Sequence, residues 1–321
     1  MESIMTIYKT LPVLAVATLL SACGSDSGGD STQYAKVSFS VSDAPVDTMS
    51  EVMVAFDKIE LHHENGNRYI IEVDPDDDGY GYQGIDLLDY QGKDSALIVT
   101  DEEIPVGHYK SMILHILSDE SASYSWVVEY DGGKEVLGVP SSKLKLGGFD
   151  VSTQAVQSFT LEFDLRQALV PRGGSGKGYH LKPNGVKIVD NDVASSLWGV
   201  VNSSLFDLGQ GCSIDDGFVY LYQDHGLWSN QLSDNVDDSS KLPDGYVAPY
   251  TSAPVVWNDE TNQLEYGFGF IPAGEYTAAF TCNAASDDPE KFDGIQIAKP
   301  FEQREEVILY QTKETQQNFG F

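Results

Sequence analysis

The acidic stretch Asp74-Pro75-Asp76-Asp77-Asp78-Gly79 points most directly to chemistry in this 321-residue chain. Ca²⁺ takes several oxygen ligands at short range, and alternate acids followed by a glycine turn supply them. Asp74, Asp76 and Asp78 would be ligands, with the Tyr80 carbonyl a fourth. The twelfth position of such a loop, where a bidentate acid belongs, is Ile85. Asp86 stands one residue further on and can substitute. No helical pattern flanks the loop, which excludes an EF-hand but not a solitary calcium loop. The competing reading is a solvated acidic hairpin tip after a strand running from Tyr69 to Val73.

Other chemistry is less sharply marked. His62-His63-Glu64 offers ligands, but neighbouring strand residues point to opposite faces, so an exposed strand end is the better reading. His108, His115, His180 and His225 show no zinc spacing. No G-x-S-x-G phrase is present. Residues 172–178 are Gly-rich and basic but lack P-loop order, and read as a flexible loop. Carboxylates are so numerous that no glycosidase pair stands out. The expectation is therefore a protein that is not an enzyme. Trp228, Tyr246, Tyr250 and Trp257 lie in one acidic stretch. Trp228 and Trp257 could bind sugar by stacking; the alternative is that these rings pack against their own domain.

The chain carries 50 acidic and 19 basic residues, a formal net charge of −31. That balance repels nucleic acid and suits cation binding or plain solubility. At the N-terminus, Lys9 precedes an apolar run from Leu11 to Leu20, which ends in Leu20-Ser21-Ala22-Cys23. The run is about ten residues, short of the roughly 20 that a spanning helix needs. The box resembles the bacterial lipobox. The resemblance implies a signal peptide over 1–22, diacylglycerol on the Cys23 thiol, and attachment to a membrane through that lipid. Residues 23–33 are small and polar, a flexible tether. Gly24, where Asp would signal retention, suggests the outer membrane. Cys212 and Cys282 remain, and an even pair in an exported chain suggests one disulfide.

The elements that must position these residues are strands. Phe159, Leu161, Phe163 and Leu165 alternate with Thr160, Glu162, Asp164 and Arg166, the pattern of a strand with one buried face. Short helices are expected near Ile85–Tyr90 and Arg166–Val170. One phrase recurs: Ile104-Pro105-Val106-Gly107-His108-Tyr109 and Ile271-Pro272-Ala273-Gly274-Glu275-Tyr276. Pro fixes φ and Gly permits positive φ, so each copy reads as a tight turn into a strand. Two copies suggest two related sandwiches, 34–190 and 197–321, with a boundary near 190–196. The fold class is all-β: two β-sandwich, transthyretin-like domains behind a signal peptide.

Residues 34–190 resemble a family of exported proteins catalogued as DUF4382. The phrases that carry this are Val41-Ser42-Asp43-Ala44-Pro45-Val46-Asp47, Ile59-Glu60-Leu61-His62, Gly84-Ile85-Asp86-Leu87-Leu88, the first copy of the repeat, Leu161-Glu162-Phe163-Asp164-Leu165 and Leu181-Lys182-Pro183. The resemblance implies a β-sandwich and export, with no agreed activity. Residues 197–321 resemble transthyretin-like or carboxypeptidase-regulatory-like domains through Gly199-Val200-Val201, Val219-Tyr220-Leu221-Tyr222 and the second copy of the repeat. This implies a structural or adhesive module. Ser229–Trp257 departs from that pattern and reads as an extended acidic loop. The functional expectation is a lipid-anchored envelope protein that binds or scaffolds a glycan or an envelope protein. The alternatives are a carbohydrate-binding surface lipoprotein and a glycoside hydrolase-like enzyme.

If the Asp-rich loop holds calcium, adding Ca²⁺ to chelator-treated protein raises the melting temperature, and Asp76→Ala abolishes the rise. Identical melts with and without chelator identify an acidic hairpin tip instead.

Overall fold

The computed structural model describes residues 32–44, 48–75, 79–130, 132–153, 156–173, 178–206, 212–285, 287–298 and 302–321. Its first half contributes β1 (Tyr34–Ala44), β2 (Met49–His63), β3 (Arg68–Glu72), β4 (Gln83–Asp86), β5 (Ala96–Pro105), β6 (Gly107–Leu117) and β7 (Trp126–Glu129). There follow β8 (Lys134–Gly138), β9 (Lys143–Leu146), β10 (Phe149–Val151), β11 (Val156–Asp164), the one-turn helix α1 (Leu165–Ala168), β12 (Leu169–Pro171), β13 (Tyr179–Leu181) and β14 (Val186–Asp190). The second half contributes β15 (Ala194–Val201), β16 (Phe218–Gln223), β17 (Thr251–Pro254), β18 (Val256–Asn258), β19 (Gln263–Pro272), β20 (Gly274–Thr281), β21 (Arg304–Leu309) and β22 (Glu314–Gln316).

Alternation puts Val37, Phe39 and Val41 of β1 and Phe159, Leu161 and Phe163 of β11 on one face, all essentially buried. They share one core with Val52, Val54, Phe56, Ile59 and Leu61 of β2. The two layers around that core are a sheet ordered β14-β11-β1-β5 and a larger sheet built on β2. β2 is long enough to pair with β3, β4, β6 and β7. The second half repeats the two-layer plan, with sheets ordered β18-β19-β15-β22 and β17-β16-β20-β21. Leu197, Leu264, Phe268, Val219, Phe280 and Val307 meet between them. Both halves are therefore β-sandwiches, as the strand pattern predicts.

The repeated phrase makes the same corner twice. β5 ends at Pro105 and β6 begins at Gly107; β19 ends at Pro272 and β20 begins at Gly274. In each case the chain leaves one sheet of its sandwich and enters the other. The buried Tyr109 hydroxyl donates to the Pro105 carbonyl at 2.7 Å, and the buried Tyr276 hydroxyl donates to the Pro272 carbonyl at 2.8 Å. The glycine expectation holds only in the first copy, where Gly107 has φ +139.

The stretch 229–257 is drawn onto the second sandwich at its start, while residues 238–241 and 243–245 remain exposed. Leu232 to Asp237 are all buried, and Leu232 packs with Leu227 over Tyr220, Tyr222 and Phe218 on the outer face of the β16 sheet. Its acidic composition reads as a loop because the apolar positions are few, but Leu232 anchors its start. The short helices fall as expected, a 3₁₀ turn over Leu87–Asp89 and α1 over Leu165–Ala168.

β11 departs from expectation in an important way. Its polar face is buried too: Thr160 is fully covered, and Glu162 and Asp164 nearly so. What covers it is the second sandwich. The Ser252 amide donates to Asp164 Oδ2 at 3.3 Å, and the Lys187 ammonium lies 4.6 Å from the Tyr250 ring centroid. α1, capped by Asp164, carries two side chains across this seam. Gln167 Nε2 donates to Asn235 Oδ1 at 3.3 Å and to the Pro249 carbonyl at 3.2 Å. Arg166 donates to the Ala284 carbonyl, pairs with Asp287 at 3.5 Å and stacks 3.9 Å over the Phe218 ring. Asp287 also accepts from the Tyr220 hydroxyl at 2.5 Å and from the Asn235 side-chain amide at 3.0 Å.

Burial in this seam pushes the Glu162 carboxyl up to about 8, against the pull of the Ser42 hydroxyl and the Lys187 ammonium. Asp164 is raised by burial as well. The unfolded chain releases the Glu162 proton near pH ~4.3. The contribution of Glu162 to stability is thus whole below that pH and declines as pH rises toward 8, by up to about 1.4 kcal/mol per unit. Glu162→Gln removes this one titration. Denaturant melts should show the variant gaining on the natural protein between pH 5 and pH 8; an equal difference at both pH values would contradict a raised Glu162.

Candidate functional site

The seam does not close completely. A cavity of about 850 Å³ opens between Thr48, Met49, Ser50 and Tyr130 of the first sandwich and Ile214, Val256 and Trp257 of the second. Each wall follows from local structure. Met49 starts β2 and pairs with Glu129 of β7, while the Tyr130 amide donates to the Thr48 carbonyl at 3.4 Å. Val256 and Trp257 belong to β18, the outer strand of its sheet, held by β19 alone. Ile214 begins a 3₁₀ turn two residues after Cys212, and Cys212 is disulfide-bonded to Cys282 at the end of β20. The expected disulfide is present, and it ties the Ile214 wall to the sheet behind it.

Four large apolar residues here remain open to solvent: Tyr130 at 69%, Val256 at 54%, Trp257 at 52% and Ile214 at 43%. They are four of the fifteen exposed large apolar residues among those described, gathered in one place. Such gathering marks interaction sites, whereas single exposed apolar residues are ordinary. The Trp257 indole N–H donates to Asp259 Oδ1 at 3.0 Å, which fixes the ring edge. Ser50, Thr48 and Gln91 add neutral hydrogen-bonding groups to the walls. Among the described lining residues Asp215 is the one carboxylate, and no Lys or Arg is present.

The structure separates the aromatics that the sequence groups together. Trp257 lies in the cleft, whereas Trp228 is 70% exposed and takes no part in its lining. Tyr246 packs on Phe292 with ring centroids 4.6 Å apart, and Tyr250 packs on Tyr276 at 6.0 Å. Tyr130 is the cleft residue that sequence reasoning misses. Its signal is faint: an aromatic at the end of the Trp126–Tyr130 alternation, just before a turn.

Of the calcium candidates, Asp76 and Asp78 lie outside the described residues, as does Cys23. Asp74 Oδ2 accepts from the Thr100 hydroxyl at 2.6 Å. Asp86 caps the following 3₁₀ turn and accepts from the Val52 and Leu88 amides at 3.0 and 3.1 Å. Tyr80 is exposed and stacks on Tyr82 at 5.7 Å. Among the described residues, no three or more His, Cys, Asp or Glu side chains are placed to hold a metal ion.

One histidine cluster is invisible to sequence spacing. Glu60 is buried on the outer face of β2, with His62 Nε2 at 2.8 Å and His115 Nε2 at 3.2 Å from its two oxygens. Arg68 and Lys143 approach the same carboxylate at 3.6 and 3.7 Å. The hydrogen bond from His62, with those of its neighbours, holds Glu60 below the ordinary carboxylate range. His115 reaches Glu60 through the register of β6 on β2, not through local spacing. The group is an ion-paired patch on a sheet face.

Residues 34–183 match a family described as Domain of unknown function (DUF4382). No curated protein matches the chain. Solved structures with a detectable likeness include the TIE protein of Bacillus anthracis, at 9% identity and a TM-score of 0.19 over 89% of this chain and 34% of that one. A leucine-rich repeat protein of Bacteroides thetaiotaomicron aligns at 12% identity and TM-score 0.22, over 90% of this chain and 26% of that one. A candidate cell adhesion protein of Bacteroides fragilis aligns at 9% identity and TM-score 0.21, over 88% and 92%. The chain spans only 34% and 26% of the first two. Likeness at these TM-scores says nothing of function.

The disulfide closes a loop of sequence separation 70. Chain entropy sets its worth at up to about 4 kcal/mol, with about 2–4 typical of measured bonds. Cys212→Ser with Cys282→Ser should lower unfolding free energy by that amount in urea titrations. Unchanged stability would mean that the bond constrains neither the Ile214 turn nor β20.

Proposed function

We propose that this is an exported, lipid-anchored envelope protein that works by binding, with the seam cleft as its ligand seat. The observation that carries the reading is the convergence of Tyr130, Ile214, Val256 and Trp257 on one cavity made by both sandwiches. Ligand sites favour such seams, where walls from two bodies meet.

Three features support export and anchoring. The Leu20-Ser21-Ala22-Cys23 box supplies the lipid attachment point, with Gly24 favouring the outer membrane. The polar stretch 23–33 supplies a tether ahead of β1. A disulfide is at home in oxidising compartments outside the cytosol. The shared corner at Tyr109 and Tyr276 favours reading the second half as a transthyretin-like companion to the first. Binding is favoured over turnover by the single carboxylate in the described lining, because glycoside hydrolysis uses two acids flanking the bond.

The test is metabolic labelling with a clickable fatty acid, followed by membrane fractionation. The natural protein should carry label and sediment with membranes, and Cys23→Ser should lose both properties. An unlabelled natural protein would refute the anchor. Turnover of any substrate in a broad hydrolase panel, by the purified protein, would refute the binding role.

A further inference from the structure

We propose that the seam cleft takes a neutral oligosaccharide, stacked on Trp257 and Tyr130. This rests on the reading of the cleft as a ligand seat and names the class of ligand. Both rings are more than half exposed in a cavity of about 850 Å³, so their faces are free to meet a flat apolar surface. A sugar ring presents such a surface through its C–H groups, with hydroxyls around its rim. The cleft matches that division. Its aromatic residues have apolar bodies, and Ser50, Thr48 and Gln91 can each donate and accept.

Charge selects among sugars. No Lys or Arg is present among the described lining residues, Asp215 is acidic, and the whole chain carries −31. An anionic chain would meet repulsion with no compensating partner. Shape adds a further constraint. A second hollow of about 270 Å³ shares Thr48, Met49 and Ala285 with the cleft, so the groove runs on along the seam instead of ending in a closed pit. That geometry suits a linear chain better than a compact molecule. The one cation among the second hollow's described lining residues, Arg166, is already paired with Asp287, and Asp288 and Glu290 keep the hollow acidic.

An extended peptide is the rival occupant. Strand addition draws its affinity from main-chain hydrogen bonds along a sheet edge. The edge beside the cleft is β18, which is three residues long. It offers too few main-chain groups to hold a peptide, whereas the two aromatic faces need no such edge.

The experiment is an array of neutral gluco-, xylo-, manno- and galacto-oligosaccharides, probed with the full-length protein in detergent. Uronate-bearing and sulfated oligosaccharides and extended peptides serve as further arms. Hits are then measured by calorimetry. At least one neutral oligosaccharide should bind, and Trp257→Ala and Tyr130→Ala should each weaken it tenfold or more. Trp228→Ala should leave it unchanged. All three positions are exposed, and unchanged melting temperatures verify that the variants fold. Absence of neutral-sugar binding, or binding indifferent to both Trp257→Ala and Tyr130→Ala, would overturn the proposal. A charged sugar or peptide lost on Trp257→Ala would overturn the neutral-sugar assignment while keeping the cleft as the ligand seat.

Discussion

The burial of the polar face of β11 is the constraint on which the rest of the structure depends. A strand with Thr160, Glu162 and Asp164 on one side would ordinarily turn that side to water. Here the second sandwich covers it, and the chain must satisfy the groups it has desolvated. Asp164 is met by the amides of Gln167 in α1 and Ser252 of the second sandwich, and the α1 side chains bind the two bodies together. Arg166 and Gln167 reach across to Asp287, Asn235 and two backbone carbonyls. Removing one partner from such a network leaves a buried charge exposed to no compensation, a loss of about 3–5 kcal/mol. Polar seams are exacting in geometry, because each donor must find its acceptor. That favours one register between the sandwiches, and one register fixes the cleft walls that come from both.

Each sandwich reaches its own stability by a common route. The chain crosses between layers at a Pro–Gly corner, and a buried tyrosine hydroxyl closes the corner onto the Pro carbonyl four residues back. An apolar core then lies between the sheets. The corner is a local device, so the sequence displays it plainly. The seam is tertiary, and the sequence displays only the residue types from which it is made.

That difference explains what could be read in advance. Strand alternation, both corners, the short helices and the Cys212–Cys282 pair all depend on near neighbours or on simple counting. The polar residues of β11 fit the alternation but gave the wrong environment, since period two does not reveal whether water or protein lies beyond. The 229–257 stretch hides its environment for a similar reason: Leu232 is buried through contact with the outer face of the β16 sheet. At the cleft, Trp257 is legible as a candidate, and Trp228 lies outside the lining, so the second exposed ring there is another residue. It is Tyr130, brought from the other sandwich by the docking itself. The Glu60, His62 and His115 group was likewise hidden, because β2 and β6 meet through sheet register.

Because the seam joins the two sandwiches and shapes the cleft between them, both should unfold as one thermodynamic body. Differential scanning calorimetry of the full-length protein tests this most directly. It should show a single transition, with calorimetric and van't Hoff enthalpies equal for the pair of sandwiches. Arg166→Ala should move that whole transition downward. Two separate transitions in the natural protein, with only one or neither shifted by Arg166→Ala, would contradict the account.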